Sequence, residues 1–328
     1  MKALVIGYGS IGKRHIENLS QISNNQIIVC TNRKSDSFLK KNKCKIVSSI
    51  ESGIKEKPDF AIISNVTNLH LSTALKLANA GIHFLCEKPL SNNLKNISKL
   101  LTLVKRKNLI TLMGSNFRFH PGIKLMKKMI ENNEIGKVIV VHAENGSYLP
   151  NWHPQENYSQ SYAARNDLGG GVVLTCIHEI DYLYWFFGKI KEVFSITGKF
   201  SDLKITADDL SSIILKFKNN VIGEIHLDYF QEPSVRNCKI VGTKGTILLD
   251  FNNKSLRKYT RNNKKWSSKF EDKKFDYNSM YVDELNYFIN CVKKKKIPAN
   301  DIQAGYETLK IAMAIINSGQ KNKRVSIK

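Results

Sequence analysis

The sequence predicts an α/β protein of two domains, in which a doubly wound parallel sheet precedes an α+β domain with a mostly antiparallel sheet. Two patterns indicate this fold. In the first third of the chain, short apolar strands alternate with helical stripes, which is typical of βαβ units and a parallel sheet. Farther along, consecutive strands with period-two alternation follow one another, which is typical of an antiparallel sheet. We therefore expect domains at residues 1–119 and 120–328.

The first domain is built from strands that each end where a turn or helix begins. Gly7 follows the first strand, and a helix is expected from there to about Ser20. A helical apolar face from Leu69 to Ala78 is closed by Gly81, and a second stripe runs from Leu94 to Val104. The predicted strands are Ala3–Ile6, Ile27–Cys30, Phe60–Ile63, His83–Cys86 and Leu109–Met113.

The second domain has the period of half-exposed strands. Apolar residues stand at every second position from Val221 to Tyr229, and Asn219-Asn220 suits a hairpin turn before them. One face of this sheet is expected to carry helices and the other to be free for a partner. The Asn- and Lys-rich stretch at 262–274 is predicted to be a loop. Further predicted strands are Val138–Gly146, Ser211–Phe217, Lys239–Val241 and Thr246–Phe251, and the predicted helices are Pro121–Glu131, Tyr281–Val292 and Ile302–Asn317.

Composition limits the class of protein. The chain has 328 residues, 42% of them hydrophobic, and no apolar run reaches the roughly 20 residues that cross a bilayer. We expect a cytoplasmic protein with no membrane partner. Its six cysteines are dispersed, which predicts reduced thiols and no metal site. The net charge of +23 is spread along the chain, so it indicates a basic surface that attracts anions rather than nucleic-acid binding.

A glycine turn follows the first strand. Gly7-Tyr8-Gly9-Ser10-Ile11-Gly12 matches G-x-G-x-x-G and stands directly after a strand and before a helix. Gly7 permits the sharp bend, Gly9 lets the backbone approach a pyrophosphate, and Gly12 lets helix and strand pack closely. The helix N-terminus, with Ser10 and Ile11, offers amides and a positive dipole end to the phosphates. The sequence thus predicts a Rossmann dinucleotide site.

The end of the second strand indicates which dinucleotide fits. NAD sites usually carry an acidic residue about twenty positions after the glycines, but here no carboxylate occurs from Thr31 to Ser35. Arg33 and Lys34 would attract a 2′-phosphate, and Asn32 or Ser35 would hydrogen-bond it. Alternatively, the two cations belong to the exposed basic surface. NADP is therefore favoured over NAD.

A lysine follows the predicted strand His83–Cys86, in the element Glu87-Lys88-Pro89. Because ligands gather beyond the carboxyl ends of parallel strands, Lys88 is expected at the cofactor crevice. There it can polarise a substrate oxygen and stabilise the charge that develops on it. The alternative is a surface lysine beside a helix start.

A triple glycine precedes the second candidate cluster. After Gly169-Gly170-Gly171 we expect one helix with Thr175, His178 and Asp181 on the same face, three residues apart. His178 suits proton transfer from a hydroxyl that is being oxidised, and Asp181 can orient its imidazole. A helical histidine of this kind can also be purely structural.

Together these motifs resemble the glucose–fructose oxidoreductase/inositol dehydrogenase (Gfo/Idh/MocA) family over essentially the whole chain. The resemblance also covers Thr67-Asn68, His70 and the Gly-Thr-Lys-Gly-Thr segment at 242–246, and Glu-Lys-Pro is its most specific part. It implies NAD(P)-dependent interconversion of a hydroxyl and a ketone on a sugar or cyclitol, with Lys88 and His178 catalytic. It also implies a homodimer or homotetramer through the C-terminal sheet. The further cofactor-binding residues that it implies are Thr67, Asn68, His70 and Glu87.

One position departs from the family pattern. The family commonly has an Asp one turn before the catalytic histidine, and Thr175 stands there in this chain. A threonine can hydrogen-bond but cannot act as a base near neutral pH. Two alternatives therefore stay open: a non-catalytic dinucleotide-binding sensor or scaffold, and a non-redox sugar epimerase or lyase that works by transient oxidation.

An aromatic segment at 148–165 looks like a substrate loop. Tyr148 and Trp152 can stack on sugar rings, and Arg165 can bind a carboxylate or phosphate. The alternative is a well-packed interdomain loop. This type of loop resembles that of members associated with surface-sugar synthesis, which implies a surface-glycan sugar. The expected substrate residues are Lys88, Arg118, Tyr148, Trp152, Arg165 and His178.

Overall fold

The structure, a computed structural model, describes residues 1–22 and 25–327. They form two compact units, each made of two chain segments. The first unit comprises Met1–Asn116 and Asn278–Leu309, and the second comprises Phe117–Tyr277 and the chain from Lys310 onward. The segment Asn278–Leu309, which we expected in the second domain, thus groups with the first unit. Its return is a long-range contact, which periodicity along the chain cannot reveal.

The α-helices have the bounds expected from their apolar stripes in most cases. Pro121–Glu131 is as predicted, and the two closing helices are each longer than predicted. The helices are α1 (Ser10–Ile22), α2 (Ser37–Lys41), α3 (Ile50–Lys55), α4 (His70–Asn79), α5 (Ile97–Arg106), α6 (Pro121–Glu131), α7 (Val172–Thr175), α8 (His178–Phe187), α9 (Asn278–Lys294) and α10 (Ile302–Lys321).

The first unit contains a six-stranded sheet in which all neighbouring strands are parallel. Its strands are β1 (Lys2–Ile6), β2 (Gln26–Cys30), β3 (Lys45–Val47), β4 (Phe60–Ile63), β5 (His83–Glu87) and β6 (Thr111–Gly114). Their order, β3-β2-β1-β4-β5-β6, is the doubly wound order of a Rossmann fold. The predicted parallel sheet is confirmed.

Helices cover both faces of this sheet. Phe288 of α9 meets Phe60 of β4 edge to face, with ring centroids 5.6 Å apart, and Ile16 of α1 joins the same buried core. On the opposite face, a Cβ on Gly53 of α3 would stand 2.7 Å from Leu4 Cδ1 of β1. Helices α2 and α3 and strand β3 were not predicted, because each is too short to display a period.

The second unit contains a nine-stranded sheet. Its strands are β7 (Val138–Gly146), β8 (Ile190–Gly198), β9 (Leu210–Phe217), β10 (Ile222–Asp228), β11 (Val235–Gly242), β12 (Gly245–Asp250), β13 (Ser255–Thr260), β14 (Lys265–Glu271) and β15 (Val325–Ser326). The order is β14-β13-β12-β11-β7-β10-β9-β8-β15. Strands β7 and β10 are parallel and the other neighbours are antiparallel, which confirms the mostly antiparallel sheet. Asn220, at φ 66°, lies in the predicted turn between β9 and β10.

The two faces of the nine-stranded sheet differ. On one face, a Cβ on Gly122 of α6 would stand 2.6 Å from Leu249 Cδ1 of β12, so this helix lies close to the sheet. The other face exposes Phe194, Ile196 and Ile214, whose neighbours on β8 and β9 are buried. The sheet therefore has an apolar open face, and the partner expected there stays a prediction.

The Asn- and Lys-rich stretch is a hairpin rather than the predicted loop. Strand β14 pairs with β13 and forms the edge of the sheet. Because β14 is exposed along almost its whole length, it needs no apolar alternation. Lysines at such an edge discourage pairing with another chain. The loop interpretation was therefore wrong for Lys265–Glu271.

Three features are absent from the described residues. No helix among them is both long and apolar enough to cross a bilayer. Within the same part of the chain, no group of three or more His, Cys, Asp or Glu side chains is arranged to hold a metal ion. No disulfide joins the cysteines there.

Candidate active site

The glycine turn of the first unit has the geometry that its motif predicts. Gly7 has φ +108°, and a Cβ there would stand 2.5 Å from the Asn65 amide nitrogen. A Cβ on Gly12 would come within 2.2 Å of the Gly7 carbonyl oxygen, so α1 packs tightly on the turn. By contrast, no atom lies within 4 Å of the place where a Gly9 Cβ would be. The turn thus leaves open space at Gly9, next to the N-terminus of α1 at Ser10 and Ile11.

The loop after β2 presents polar side chains to solvent. Asn32 and Arg33 are exposed. Asp36, the first carboxylate of the loop, accepts from the Leu39 N–H at 2.9 Å and from the Tyr8 hydroxyl at 2.8 Å. The Leu39 amide and then the Tyr8 hydroxyl hold the pKa of Asp36 below its usual value. Asp36 is therefore engaged in capping α2, whereas Asn32 and Arg33 are accessible.

The segment after β4 carries Thr67, Asn68 and His70. Thr67 and His70 are buried, and Asn68 is half-buried. His70 Nδ1 lies 2.7 Å from the Pro89 carbonyl oxygen, and Nε2 lies 2.9 Å from the Asn65 carbonyl oxygen. Burial lowers the pKa of His70, so its neutral ring donates to one of these carbonyls at a time. His70 thus links the ends of β4 and β5.

Lys88 is half-buried directly after β5. The carboxylate of Glu87 is mostly buried, and its Oε1 lies 2.7 Å from Nε2 of His15 on α1. Its Oε2 lies 3.4 Å from the Lys88 amide nitrogen. His15 was not predicted as a site residue. The available signal was a titratable residue one turn after Gly12, on the face of α1 that also carries apolar residues.

The triple glycine of the second unit fits a crowded backbone. A Cβ on Gly170 would stand 2.1 Å from the Tyr162 carbonyl oxygen. Gly171 has φ +103°, and its Cβ would stand 2.3 Å from Asp208 Oδ1. Asp208 accepts from the Val173 N–H at 3.1 Å, and burial raises the pKa of this carboxyl. Asp208 was also missed, although an acidic residue just before an apolar strand was a signal.

The expected single helix after the glycines is two helices. Helix α7 ends at Thr175 because Cys176, at ψ 31°, leaves the helical conformation, and α8 begins at His178. Thr175 and His178 therefore do not share one helix face, contrary to the prediction. Thr175 is buried and contacts the Tyr229 hydroxyl. The His178 ring is 9% exposed and lies 4.7 Å from the Phe117 ring, centroid to centroid.

Asp181 is paired with Arg118. Nε and Nη2 of Arg118 each donate to one Asp181 oxygen at 2.8 Å, and both side chains are buried. Two parallel charge-assisted bonds of this kind hold a fixed geometry. We expected Arg118 to contact substrate and Asp181 to orient His178. The structure joins the two expected residues to each other, and their pair anchors the first turn of α8.

A second ion pair beside His178 was not predicted. Glu179 is fully buried and accepts from Arg236 Nε of β11 at 2.7 Å. The Arg236 guanidinium lies 3.7 Å from the Phe117 ring centre. Burial raises the pKa of Glu179, and Arg236 opposes that rise. The sequence did contain a signal for this ion pair. Glu179 stands inside an apolar run, and a buried carboxylate needs a charged or hydrogen-bonding partner.

The predicted substrate loop is a series of short 3₁₀ turns. Tyr148 and Trp152 are half-buried, and Trp152 meets Tyr229 edge to face at 5.4 Å. Arg165 is exposed, and its Nε donates to Asp167 Oδ1 at 3.0 Å. The loop thus leaves part of the Trp152 indole accessible, while Arg165 already has a carboxylate partner.

The first unit fits a dinucleotide. The open space at Gly9 is where the motif brings the backbone to a pyrophosphate, and α1 begins beside it with its N-terminal amides. Asn32 and Arg33 are accessible in the loop that follows β2. Gly7 and Gly12 hold this shape because any side chain there would strike backbone atoms.

Comparison with known proteins agrees with this geometry. A profile described as the NAD-binding Rossmann fold of an oxidoreductase family, GFO_IDH_MocA, matches residues 1–115, and the C-terminal alpha/beta domain of that family matches residues 127–327. Myo-inositol 2-dehydrogenase of Thermotoga maritima is 27% identical, over 100% of this chain and 98% of that protein. A 2,7-anhydro-N-acetylneuraminate hydratase of Mediterraneibacter gnavus is 25% identical, over 60% of this chain and 52% of that protein.

Solved structures share the same architecture. Levoglucosan dehydrogenase, in a complex with NADH, superposes with a TM-score of 0.91 over 100% of this chain and 99% of that chain, at 18% identity. A likeness at this identity establishes the fold. The two family profiles span nearly the whole sequence. The chain therefore belongs to the Gfo/Idh/MocA family of oxidoreductases, and its N-terminal sheet domain is that family's NAD-binding Rossmann fold.

Proposed function

We propose that this protein is an NAD(P)-dependent dehydrogenase or reductase that interconverts a hydroxyl and a ketone on a sugar or cyclitol. The observation that carries the proposal lies within the first unit: Lys88 follows the carboxyl end of β5 in the same parallel sheet whose glycine turn fits a dinucleotide. Ligands of such sheets bind beyond the carboxyl ends of the strands. The names of the myo-inositol and levoglucosan dehydrogenases support a polyhydroxylated substrate.

The proposed mechanism assigns one task to each catalytic group. The bound nicotinamide supplies or accepts the hydride. In the oxidative direction, His178 takes the proton of the substrate hydroxyl, and Lys88 donates a hydrogen bond to that oxygen as negative charge develops on it. Asp181, with Arg118, holds the first turn of α8 and so orients His178, and Thr175 supports the turn before it.

The remaining expected residues bind cofactor and substrate in this proposal. Tyr148 and Trp152 stack on the sugar ring. Where the sugar carries an anionic substituent, Arg165 leaves its ion pair with Asp167 and binds that substituent. This is feasible because an exposed ion pair of this kind is weak. The residues proposed to hold the dinucleotide are Gly7, Gly9, Ser10, Ile11, Gly12, Asn32, Arg33, Thr67, Asn68, His70, Glu87 and Lys88.

For the choice of dinucleotide, we propose a preference for NADP over NAD. No carboxylate precedes Asp36 in the loop after β2, and Asp36 itself accepts hydrogen bonds from the Tyr8 hydroxyl and the Leu39 N–H. The loop therefore offers no uncommitted carboxylate to a ribose 2′-hydroxyl. Arg33 is exposed and suits a 2′-phosphate. Arg33→Ala is expected to lower kcat/KM for NADP and to leave kcat/KM for NAD nearly unchanged. Equal losses for both dinucleotides would argue against this assignment.

Turnover of a substrate panel tests the main proposal. Purified protein is incubated with NADP or NAD and with myo-inositol, levoglucosan, glucose, glucose 6-phosphate and nucleotide-activated surface-glycan sugars, while nicotinamide absorbance is followed. We expect reduction of the dinucleotide with at least one sugar, and a much slower but measurable reduction in Lys88→Ala and His178→Ala. Lys95→Ala is a matched control at an exposed position. Full activity in the Lys88 and His178 variants would refute the assigned roles.

A second candidate is a redox-neutral conversion of a sugar through transient oxidation. The relative named as a 2,7-anhydro-N-acetylneuraminate hydratase favours it, because a hydratase yields no net reduced cofactor. In that case, protein with bound NAD would form product from 2,7-anhydro-N-acetylneuraminate or a related sugar without a lasting absorbance change. Mass spectrometry of the sugar distinguishes this outcome from a sensor that binds NAD and converts no sugar.

We also propose that the open face of the nine-stranded sheet binds a second copy of this chain. Exposed Phe194, Ile196 and Ile214 form an apolar strip on it, and His142 pairs with Glu224 beside this strip at 2.7 Å. Monomers rarely expose contiguous apolar patches of this kind. Ile196→Lys is expected to convert a dimer or tetramer to a smaller species in light scattering. Ile297→Lys, at an exposed position of the first unit, is the control.

A further inference from the structure

We propose that His15 is a positioning residue for Lys88 and acts through the carboxylate of Glu87. The role rests on the proposed function of Lys88 and gives a task to a buried histidine that the mechanism above does not use. Three observations within the first unit carry it: the burial of His15, its contact with Glu87, and the confinement of the Glu87 carboxylate beside Lys88.

His15 is wholly inside the first unit. It lies on α1, one turn after Gly12, with 0% of its surface exposed, and Glu87 is 7% exposed. His15 Nε2 and Glu87 Oε1 are 2.7 Å apart, which is a hydrogen-bonding distance. A buried polar group without a partner costs about 1–3 kcal/mol, so each of these groups depends on the other. The bond ties the helix that starts at the glycine turn to the end of β5.

The Glu87 carboxylate is also confined on its other side. A Cβ on Gly114 of β6 would stand 2.9 Å from Oε2, and the Lys88 amide nitrogen lies 3.4 Å from the same oxygen. Because His15 contacts Oε1, the carboxylate is held between α1, β5 and β6. Lys88 is the next residue, so a fixed Glu87 side chain also fixes the backbone of Lys88 at the end of β5.

A second histidine secures the chain on the far side of Lys88. His70 Nδ1 lies 2.7 Å from the Pro89 carbonyl oxygen. The backbone at Lys88 is thus anchored at the preceding residue by His15 and at the following residue by His70. His15 differs from His70 because it reaches Lys88 from α1, the helix that borders the dinucleotide turn. The bond to Glu87 therefore links the position of Lys88 to α1.

Two substitutions at residue 15 separate positioning from simple packing. His15→Phe keeps most of the ring volume and removes the bond to Glu87, whereas His15→Gln keeps a donor near the place of Nε2. With a sugar that the wild-type protein oxidises, we expect His15→Phe to lower kcat about 100-fold, as small misplacements of catalytic groups do. The Kd for NADH, measured by fluorescence, should change little, and His15→Gln should restore most of kcat.

A double variant tests whether the effect passes through Lys88. In a Lys88→Ala background, His15→Phe should cause little further loss, because residues that act as one unit are strongly non-additive. If His15 served only in packing, His15→Phe would lower kcat by the same factor in the wild-type and in the Lys88→Ala background. Glu87→Leu removes the same bond from the other side, keeps the side-chain volume, and should show the same change in Lys88 labelling as His15→Phe if the latter folds poorly.

A measurement without any sugar separates this inference from the proposed function. Trace labelling of the protein with acetic anhydride, followed by peptide mass spectrometry, gives the relative reactivity of each lysine. We expect His15→Phe to change the labelling of Lys88 while exposed Lys95 and Lys323 label as in the wild type, and His15→Gln to restore it. Unchanged labelling of Lys88 in His15→Phe would overturn the role of His15. If no sugar is converted by the wild-type protein, the proposed function fails, and the labelling result still decides this inference.

Discussion

The two units present their functional groups in different ways. In the first unit the dinucleotide turn is made of backbone, and its shape comes from glycines at Gly7, Gly9 and Gly12 that are close in sequence. In the second unit the first turn of α8, which begins at His178, contains two carboxylates that are paired with distant residues: Arg236 is 57 residues from Glu179, and Arg118 is 63 residues from Asp181. The candidate groups are thus placed by local conformation in one unit and by long-range pairing in the other.

The largest expected effect tests the pairing in the second unit. Asp181→Ala removes the carboxylate that binds the buried Arg118 guanidinium at two points. We expect the free energy of unfolding to fall by about 3–5 kcal/mol, as when one partner of a buried ion pair is removed. Urea denaturation measures it. The double variant Arg118→Met with Asp181→Leu should lose less than Asp181→Ala alone, and a larger loss would contradict this account.

A pH-dependent effect comes from His120, which caps α6. Its Nδ1 accepts from the Gly122 N–H at 3.1 Å, and burial, with Arg236 nearby, lowers its pKa from 6.5 to about 4. Only the unprotonated nitrogen accepts, so the contribution is complete above the unfolded pKa and is lost as the pH falls toward the folded value. This pKa difference corresponds to a loss of roughly 3 kcal/mol in the free energy of unfolding once the pH is well below the folded value.

Urea denaturation at neutral pH and near the lowered pKa of His120 checks this prediction. His120→Asn, which can accept the same N–H without titrating, should show a shallower loss of stability on acidification. If both proteins lose stability in parallel, other groups account for the acid sensitivity.

Two glycine variants test the backbone account of the first unit. Gly12→Ala places a Cβ 2.2 Å from the Gly7 carbonyl oxygen and should cost about 1–3 kcal/mol of stability, as overpacking does. Gly9→Ala meets no protein atom within 4 Å, so its melting temperature should be unchanged. Its Kd for NADH should rise about tenfold, which is roughly 1.4 kcal/mol. Tight NADH binding by Gly9→Ala would mean that the pyrophosphate does not lie at this glycine.

The smallest effect is expected at the exposed ion pair of Arg165 and Asp167. Asp167→Ala should change the free energy of unfolding by less than about 1 kcal/mol, because solvent screens such pairs. The same denaturation experiment as for Asp181→Ala measures it, so the two carboxylates can be compared directly. A loss as large as that of Asp181→Ala would remove the distinction between buried and exposed pairing.

The same contrast explains what the sequence could predict. The glycine turn and the strand end before Lys88 were located residue by residue, because their conformation is determined by residues adjacent in sequence. The break between α7 and α8 was not, since Cys176 has no helix-breaking side chain and its conformation depends on the surrounding fold. His15, Asp208 and Arg236 were missed because each acquires its partner only through tertiary contacts. Strand β14 was taken for a loop because an exposed edge strand has no apolar period.

The return of α9 to the first unit has a consequence for synthesis of the protein. Strands β1 to β6 are complete at Gly114, yet Phe288, which covers Phe60, is added some 170 residues later. At typical translation rates of about 5–20 residues per second, this interval is roughly 10–35 s. During that time the apolar face that α9 will cover has no helix of its own to bury it. The core on this face of the parallel sheet, to which α1 already contributes, is therefore completed only when α9 has been synthesised.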